Sequence, residues 1–127
     1  MSGNVKWPIL GAVVGLVVML VATACTSTSG GTPIQTGTVK VEAGEYFFKP
    51  DFFTVKAGAT ITFSVTNVGK LNHTMTFPDL NKGTSAMPPG ATESFQMTFA
   101  NAGDYVFICT VPGHADSGMK GTVKVVP

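Results

Sequence analysis

The chain has 127 residues, 44% of them hydrophobic, with eight basic and seven acidic side chains and a formal net charge of +1. That length suits one domain. The near-neutral charge excludes the basic footprint of a nucleic-acid binder or a polybasic membrane patch.

In chain order, the first segment differs from the rest. Met1 to Lys6 is a short polar start with one positive charge, and PILGAVVGLVVMLVA, from Pro8 to Ala22, carries none. Small residues follow as TAC, then the polar run TSTSGGTPIQTG. A basic start, an apolar middle and a small-x-small site (Ala22-Thr23-Ala24) make an export signal. VATAC resembles a lipobox, with Cys25 at the lipidated position and Ala22 where leucine is usual. Lipidation, an uncleaved anchor helix and a cleaved soluble product all remain open. The apolar run is short beside the roughly 20 residues of a full span. Each outcome places the remainder outside the cytoplasm, in the periplasm or on the outer face of the membrane. Residues 1–24 are thus expected to be a signal peptide or membrane anchor, 25–36 a flexible linker rich in Ser, Thr and Gly, and 37–127 one domain.

From Gly37 onward, short alternating apolar runs recur between turn residues: TVKVEA, YFF, FFTV, TITFSVTN, NHTMTF, ESFQMTF, YVFIC and GTVKVV. About eight strands at this spacing predict an all-β protein, a Greek-key sandwich or barrel. Alternation puts Tyr105, Phe107 and Cys109 on one face, and likewise His73, Met75 and Phe77, and Phe95, Met97 and Phe99. The aromatic company of Cys109 and His73 turns both inward.

Cys109 is the one cysteine beyond Cys25, so no internal disulfide is expected. A lone thiol in an oxidising compartment invites oxidation unless a metal shields it. Its surroundings read Cys109-x4-His114-x4-Met119, with Pro112 and Gly113 to bend the loop. Gly118 and Gly121 are expected to let the backbone run close to the metal. The chain's other histidine is His73. Soft sulfur selects copper(I), zinc or iron–sulfur centres, and imidazole suits copper and zinc. Zinc gains little from a thioether. Two histidines and one cysteine with a long axial methionine describe a blue-copper electron-transfer site.

These residues carry a family resemblance. GDYVFICTVPGHADSGMKGTVKV resembles the C-terminal motif of the cupredoxins, the plastocyanin and azurin superfamily. VKAGATITFSVTNVGKLNHTMTF resembles their N-terminal histidine region, and PPGATESFQMTF the strand between. The ten-residue step from Cys109 to Met119, with a tethered N-terminus, is most similar to the auracyanins. The resemblance implies one copper ion, with His73, Cys109 and His114 as equatorial ligands and Met119 as the axial one. It implies a cupredoxin fold over 37–127, and a monomeric one-electron carrier rather than an enzyme, with no organic substrate.

The implied donor is a quinol-oxidising complex; the implied acceptor is a cytochrome, a reaction centre or an oxidase. The alternative is an extracytoplasmic copper carrier or delivery protein. A binuclear copper centre needs a second cysteine in the loop, and only Cys109 is there. Thr74 follows His73 where the family often has asparagine; its amide is expected to face the Cys109 sulfur. Ile108 precedes the cysteine where plant plastocyanins have a tyrosine, and the region after His73 holds only Asp79 and Lys82, so no acidic docking patch is expected. His114 is implied to be the ligand nearest solvent, with Pro112, Met87, Pro88 and Pro89 as its rim. Met75 and Met97 are expected in the core, and Asp104, Glu93 and Asp116 as solvated side chains.

Overall fold

The computed structural model describes residues 30–127, together with Gly3 and Gly11. The export or anchor segment and Cys25 therefore lie outside the described residues. Among the described residues no helix is long and apolar enough to cross a membrane.

Among the described residues, period-two alternation builds nine strands in two sheets. One sheet has the order β2-β1-β4-β7, from β1 (Gly37–Gly44), β2 (Phe47–Lys49), β4 (Thr60–Asn67) and β7 (Thr92–Thr98). The other is β3-β9-β8-β5-β6, from β3 (Phe52–Lys56), β5 (Thr76–Phe77), β6 (Lys82–Gly83), β8 (Gly103–Ile108) and β9 (Lys120–Val126). The expected Greek-key sandwich is what is observed, one strand richer because β5 and β6 form a small hairpin around a 3-10 turn at Pro78–Leu80. The parallel pairs β1–β4 and β3–β9 are joined by crossovers between sheets. Upstream of β1, Ile34 bridges Thr54 on β3.

The core lies between the sheets. β4 alternates cleanly, burying Ile61, Phe63, Val65 and Asn67 while its threonines and Ser64 face outward. On the outer face, hydroxyl pairs Thr60–Thr98 and Thr66–Thr92, each 2.8 Å apart, clip β4 to β7. Phe63 meets Phe53 and Phe77 of the opposite sheet at 5.8 and 5.6 Å between ring centres. Phe107 closes the cluster against Phe53, Phe77 and Phe48. Burial of each such ring stabilises the fold by about 1.5–3 kcal/mol, and each well-set ring pair adds about 0.5–1.5 kcal/mol. Met75 and Met97 are buried among them, as expected.

Gly121 stands opposite Phe107 in the β8–β9 register. A Cβ there would run into the Phe107 ring and the Asp51 carbonyl, which itself accepts the Thr122 amide. The expectation that Gly121 serves the metal loop is thus corrected: it makes room for a core ring and a neighbouring turn. The pairing also places several strand ends together. β1 and β4 run parallel and finish side by side; antiparallel β7 starts beside the end of β4. β8 finishes where β9 begins. The connections at this end are the ones that carry both histidines and the cysteine.

Candidate metal centre

Cys109 lies one residue past β8, on the inward face that Phe107 begins. It is a free thiol, 1% exposed. Its amide donates to the Met119 carbonyl at 3.1 Å, which ties the two ends of the 109–119 loop together. Inside that loop, the His114 amide donates to Val111 and the Met119 amide to His114, at 3.1 and 3.0 Å. The tight turns need left-handed backbone at Gly113 and Gly118, with φ of 83° and 102°, conformations that glycine adopts without steric cost. The wound loop turns the His114 ring back toward Cys109.

His73 arrives from the other side. NHTMTF is only partly a strand: residues 72–75 leave the ladder, and β5 begins at Thr76. The reason is local. The Thr74 amide donates to the Cys109 sulfur at 3.4 Å instead of to a neighbouring strand. The Thr74 hydroxyl accepts the Thr110 amide at 2.8 Å and pairs with the Thr110 hydroxyl at 2.9 Å. The tie between the two loops, which asparagine often makes in the family, is made here by a threonine. His73 itself forms a two-bond bridge with Met87, and its side chain is fully buried.

Behind this bridge sits Asn67, 1% exposed at the last inward position of β4. Its amide group donates to the Leu71 and Met87 carbonyls at 2.7 and 2.8 Å, and its oxygen accepts the Gly69 amide at 2.9 Å. Glu45, in the β1–β2 turn, accepts the Lys70 and Leu71 amides at 2.7 Å each and lies 3.2 Å from His73 Nε2. The Leu71 amide first, then the Lys70 amide and the His73 imidazole, hold its carboxyl far below the usual range, at about 2. The next residue, Tyr46, sets its ring edge-on to His114 with centres 4.9 Å apart.

The three strong donors converge. His73 Nδ1 and His114 Nδ1 are 3.2 Å apart, and Cys109 Sγ lies 3.9 Å from the first and 3.5 Å from the second. A triangle of these sides has a centre about 2.1 Å from every corner, the length of a metal–nitrogen bond and about 0.2 Å short of a metal–sulfur bond. A buried cluster of one cysteine and two imidazoles thus fits a metal ion. Met119 is fully buried, and its backbone bonds to both Cys109 and His114. His114 is 6% exposed, more than His73, as expected for the histidine nearer solvent.

The rim is partly corrected. Pro112, Pro88 and Pro89 are exposed, but Met87 is buried because its backbone pairs with His73. Tyr46, 43% exposed, packs against His114 in its place, and Leu71, in the loop before His73, is 46% exposed. Glu93, expected to be merely solvated, is bonded by the amide and hydroxyl of Ser85. Asn67 had a signal in the sequence, a polar residue at an inward position of an alternating strand, which is buried only with partners. Glu45 and Tyr46 had none, since a turn between strands has no periodicity to violate.

Fold and donors together define a small β-sandwich metalloprotein whose metal pocket joins a strand-end thiolate to histidines from two separate loops. The chain belongs to the family described as the cupredoxin-like domain, whose pattern matches residues 14–125. Chloroplastic plastocyanin of Oryza sativa subsp. indica is 32% identical over 130 residues, covering 91% of this chain and 78% of that protein. The copper-resistant cuproprotein CopI of Rubrivivax gelatinosus is 29% identical over 97 residues, 61% of this chain; the chain spans only 59% of that relative's length. Auracyanin from the photosynthetic bacterium Roseiflexus castenholzii superposes with a TM-score of 0.67 at 26% identity, over 75% of this chain and all of that one. The protein is a cupredoxin blue copper protein that resembles auracyanin, and its cofactor is a single copper ion.

Proposed function

We propose that His73, Cys109 and His114 are the equatorial copper ligands, that Met119 is a weak axial donor, and that the protein carries single electrons between membrane redox complexes. The observation that carries this reading is the near-trigonal convergence of the two Nδ1 atoms and the sulfur in a pocket closed to water. Copper supplies one-electron exchange between its cuprous and cupric states. The residues supply the rest. Cys109 is held by the Thr74 amide, and His73 by its bridge to Met87, so neither donor depends on the ion for its place. A site that stays in position through both oxidation states exchanges electrons with little rearrangement. Four donors leave no open position for substrate, and the protein is a carrier rather than an enzyme.

His114, under the Tyr46 ring, is the exit toward a partner. Exposed Tyr46, Leu71, Pro88 and Pro112 make that surface apolar. Likeness to auracyanin and plastocyanin supports a quinol-oxidising donor complex and a cytochrome, reaction centre or oxidase as acceptor. We assign 37–127 to the copper domain, 25–36 to a tether whose end is pinned to β3 by the Ile34–Thr54 bridge, and 1–24 to an export or anchor segment, with the domain outside the cytoplasm and monomeric. Cys25 lipidation or an uncleaved helix would hold it at the membrane. Intact mass of the membrane-extracted protein distinguishes these fates.

The test is titration of the metal-free protein with copper(II). An intense visible thiolate-to-copper band, abolished in Cys109→Ser, is expected; a colourless complex sinks the reading. A second reading, copper delivery, is favoured by likeness to a copper-resistant cuproprotein. Against it stands the burial of every donor. Fast reversible reduction with copper retained supports the carrier, and handover of copper to an acceptor protein supports delivery.

A further inference from the structure

We propose that Glu45 is a positioning residue for the copper centre: it holds His73 as the Nε2–H tautomer and lowers the reduction potential through its charge. This rests on the ligand assignment above. The contact is His73 Nε2 to Glu45 Oε1 at 3.2 Å, opposite the Nδ1 atom that faces Cys109 and His114. An ionised carboxylate only accepts hydrogen bonds, so the ring proton sits on Nε2 and leaves Nδ1 as a lone pair. Such an outer partner fixes tautomer and ring orientation and raises the ligand's basicity. More donation and a nearby negative charge both favour the cupric ion over the cuprous one.

The carboxylate is seated for this purpose. The Lys70 and Leu71 amides grip the same oxygen that faces His73. Gly69 forms the floor of the seat: a Cβ there would lie 2.5 Å from both carboxylate oxygens. Gly69 is outside the left-handed backbone region, so its lack of a side chain is explained by this close approach and not by its φ. Asn67 in turn holds the Gly69 amide and the Leu71 carbonyl. The loop between β4 and His73 is thereby wrapped around one oxygen atom. A loop cap alone would need the two amides and not the imidazole.

Three variants separate these roles. Glu45→Gln keeps an acceptor for the amides and the ring but removes the charge. Glu45→Ala removes both. Gly69→Ala keeps the charge and displaces it from its seat. Two readouts apply: the reduction potential of the copper protein, and the His73 tautomer by nitrogen-15 NMR in the metal-free protein. Glu45→Gln is expected to shift the cupric-to-cuprous affinity ratio about tenfold toward the cuprous state, which for one electron is a rise of about 59 mV. Glu45→Ala is expected to shift it further and to mix the His73 tautomers, and Gly69→Ala to shift it less, in the same direction. An unchanged potential in Glu45→Gln, with the wild-type tautomer kept in Glu45→Ala, overturns the proposal, even if both variants lose thermal stability. Should Glu45→Ala not fold, the Glu45→Gln potential decides alone. A wild-type protein that shows the Nε2–H tautomer but forms no blue copper complex refutes the ligand assignment instead.

Discussion

Replacing Asn67 with alanine tests how far the protein, rather than the ion, builds the centre. The side chain makes three hydrogen bonds, at 2.7, 2.8 and 2.9 Å, to Leu71, Met87 and Gly69. Leu71 is exposed, so water can replace the bond to its carbonyl and that loss is small. The bond to Met87 is buried; that carbonyl loses its second donor but keeps the His73 amide, so it is not left unsatisfied. Each net hydrogen bond is worth about 0.5–1.5 kcal/mol, so losing those to Met87 and Gly69 costs about 1–3 kcal/mol. For a domain of about 100 residues this lowers Tm by about 4–24 °C. The assay is urea unfolding of the metal-free protein followed by circular dichroism, with m unchanged. Asn67→Asp is the sharper probe. A carboxylate accepts from Gly69 but presents acceptors to two carbonyls, so it is expected to be no more stable than Asn67→Ala at neutral pH. A loss below about 1 kcal/mol in Asn67→Ala, or wild-type stability in Asn67→Asp, refutes the reasoning.

Gly121→Ala forces a methyl group against the Phe107 ring and the Asp51 carbonyl, and is expected to destabilise by about 1–3 kcal/mol or more in urea unfolding. A neutral outcome would show that the β8–β9 packing yields easily. Bonds from the Ser85 hydroxyl and amide lower the Glu93 carboxyl below its ordinary value of 4.5. Because the folded state has the lower value, the contribution is complete above that ordinary value and is lost as pH falls through the folded one. Glu93→Gln is therefore expected to flatten the fall of Tm on the acid side; parallel Tm–pH curves for the two proteins contradict this. Outside residues 1–24 the chain carries seven lysines and seven acids, and the exposed side chains assigned to the docking face, Tyr46, Leu71, Pro88 and Pro112, are apolar. Partner reduction rates are thus expected to vary little with ionic strength, and a steep fall with added salt points to charge steering instead.

The residues themselves determined the fold class and the proposed donor set. Strand period is a local property, and TITFSVTN reads as β4 to the residue. Cys109, His114 and Met119 lie in one loop, where short spacing limits what the backbone can do, and the two histidines left nothing to choose between. Only the tertiary structure decided what surrounds them. Glu45 reaches His73 across 28 positions and Thr74 reaches Thr110 across 36. Met87 faces inward because its backbone pairs with a histidine from another loop. Gly121 is bare because a phenylalanine from the neighbouring strand needs its space. Such contacts are set by how strands from distant parts of the chain come into register, and neighbouring residues carry no trace of that pairing.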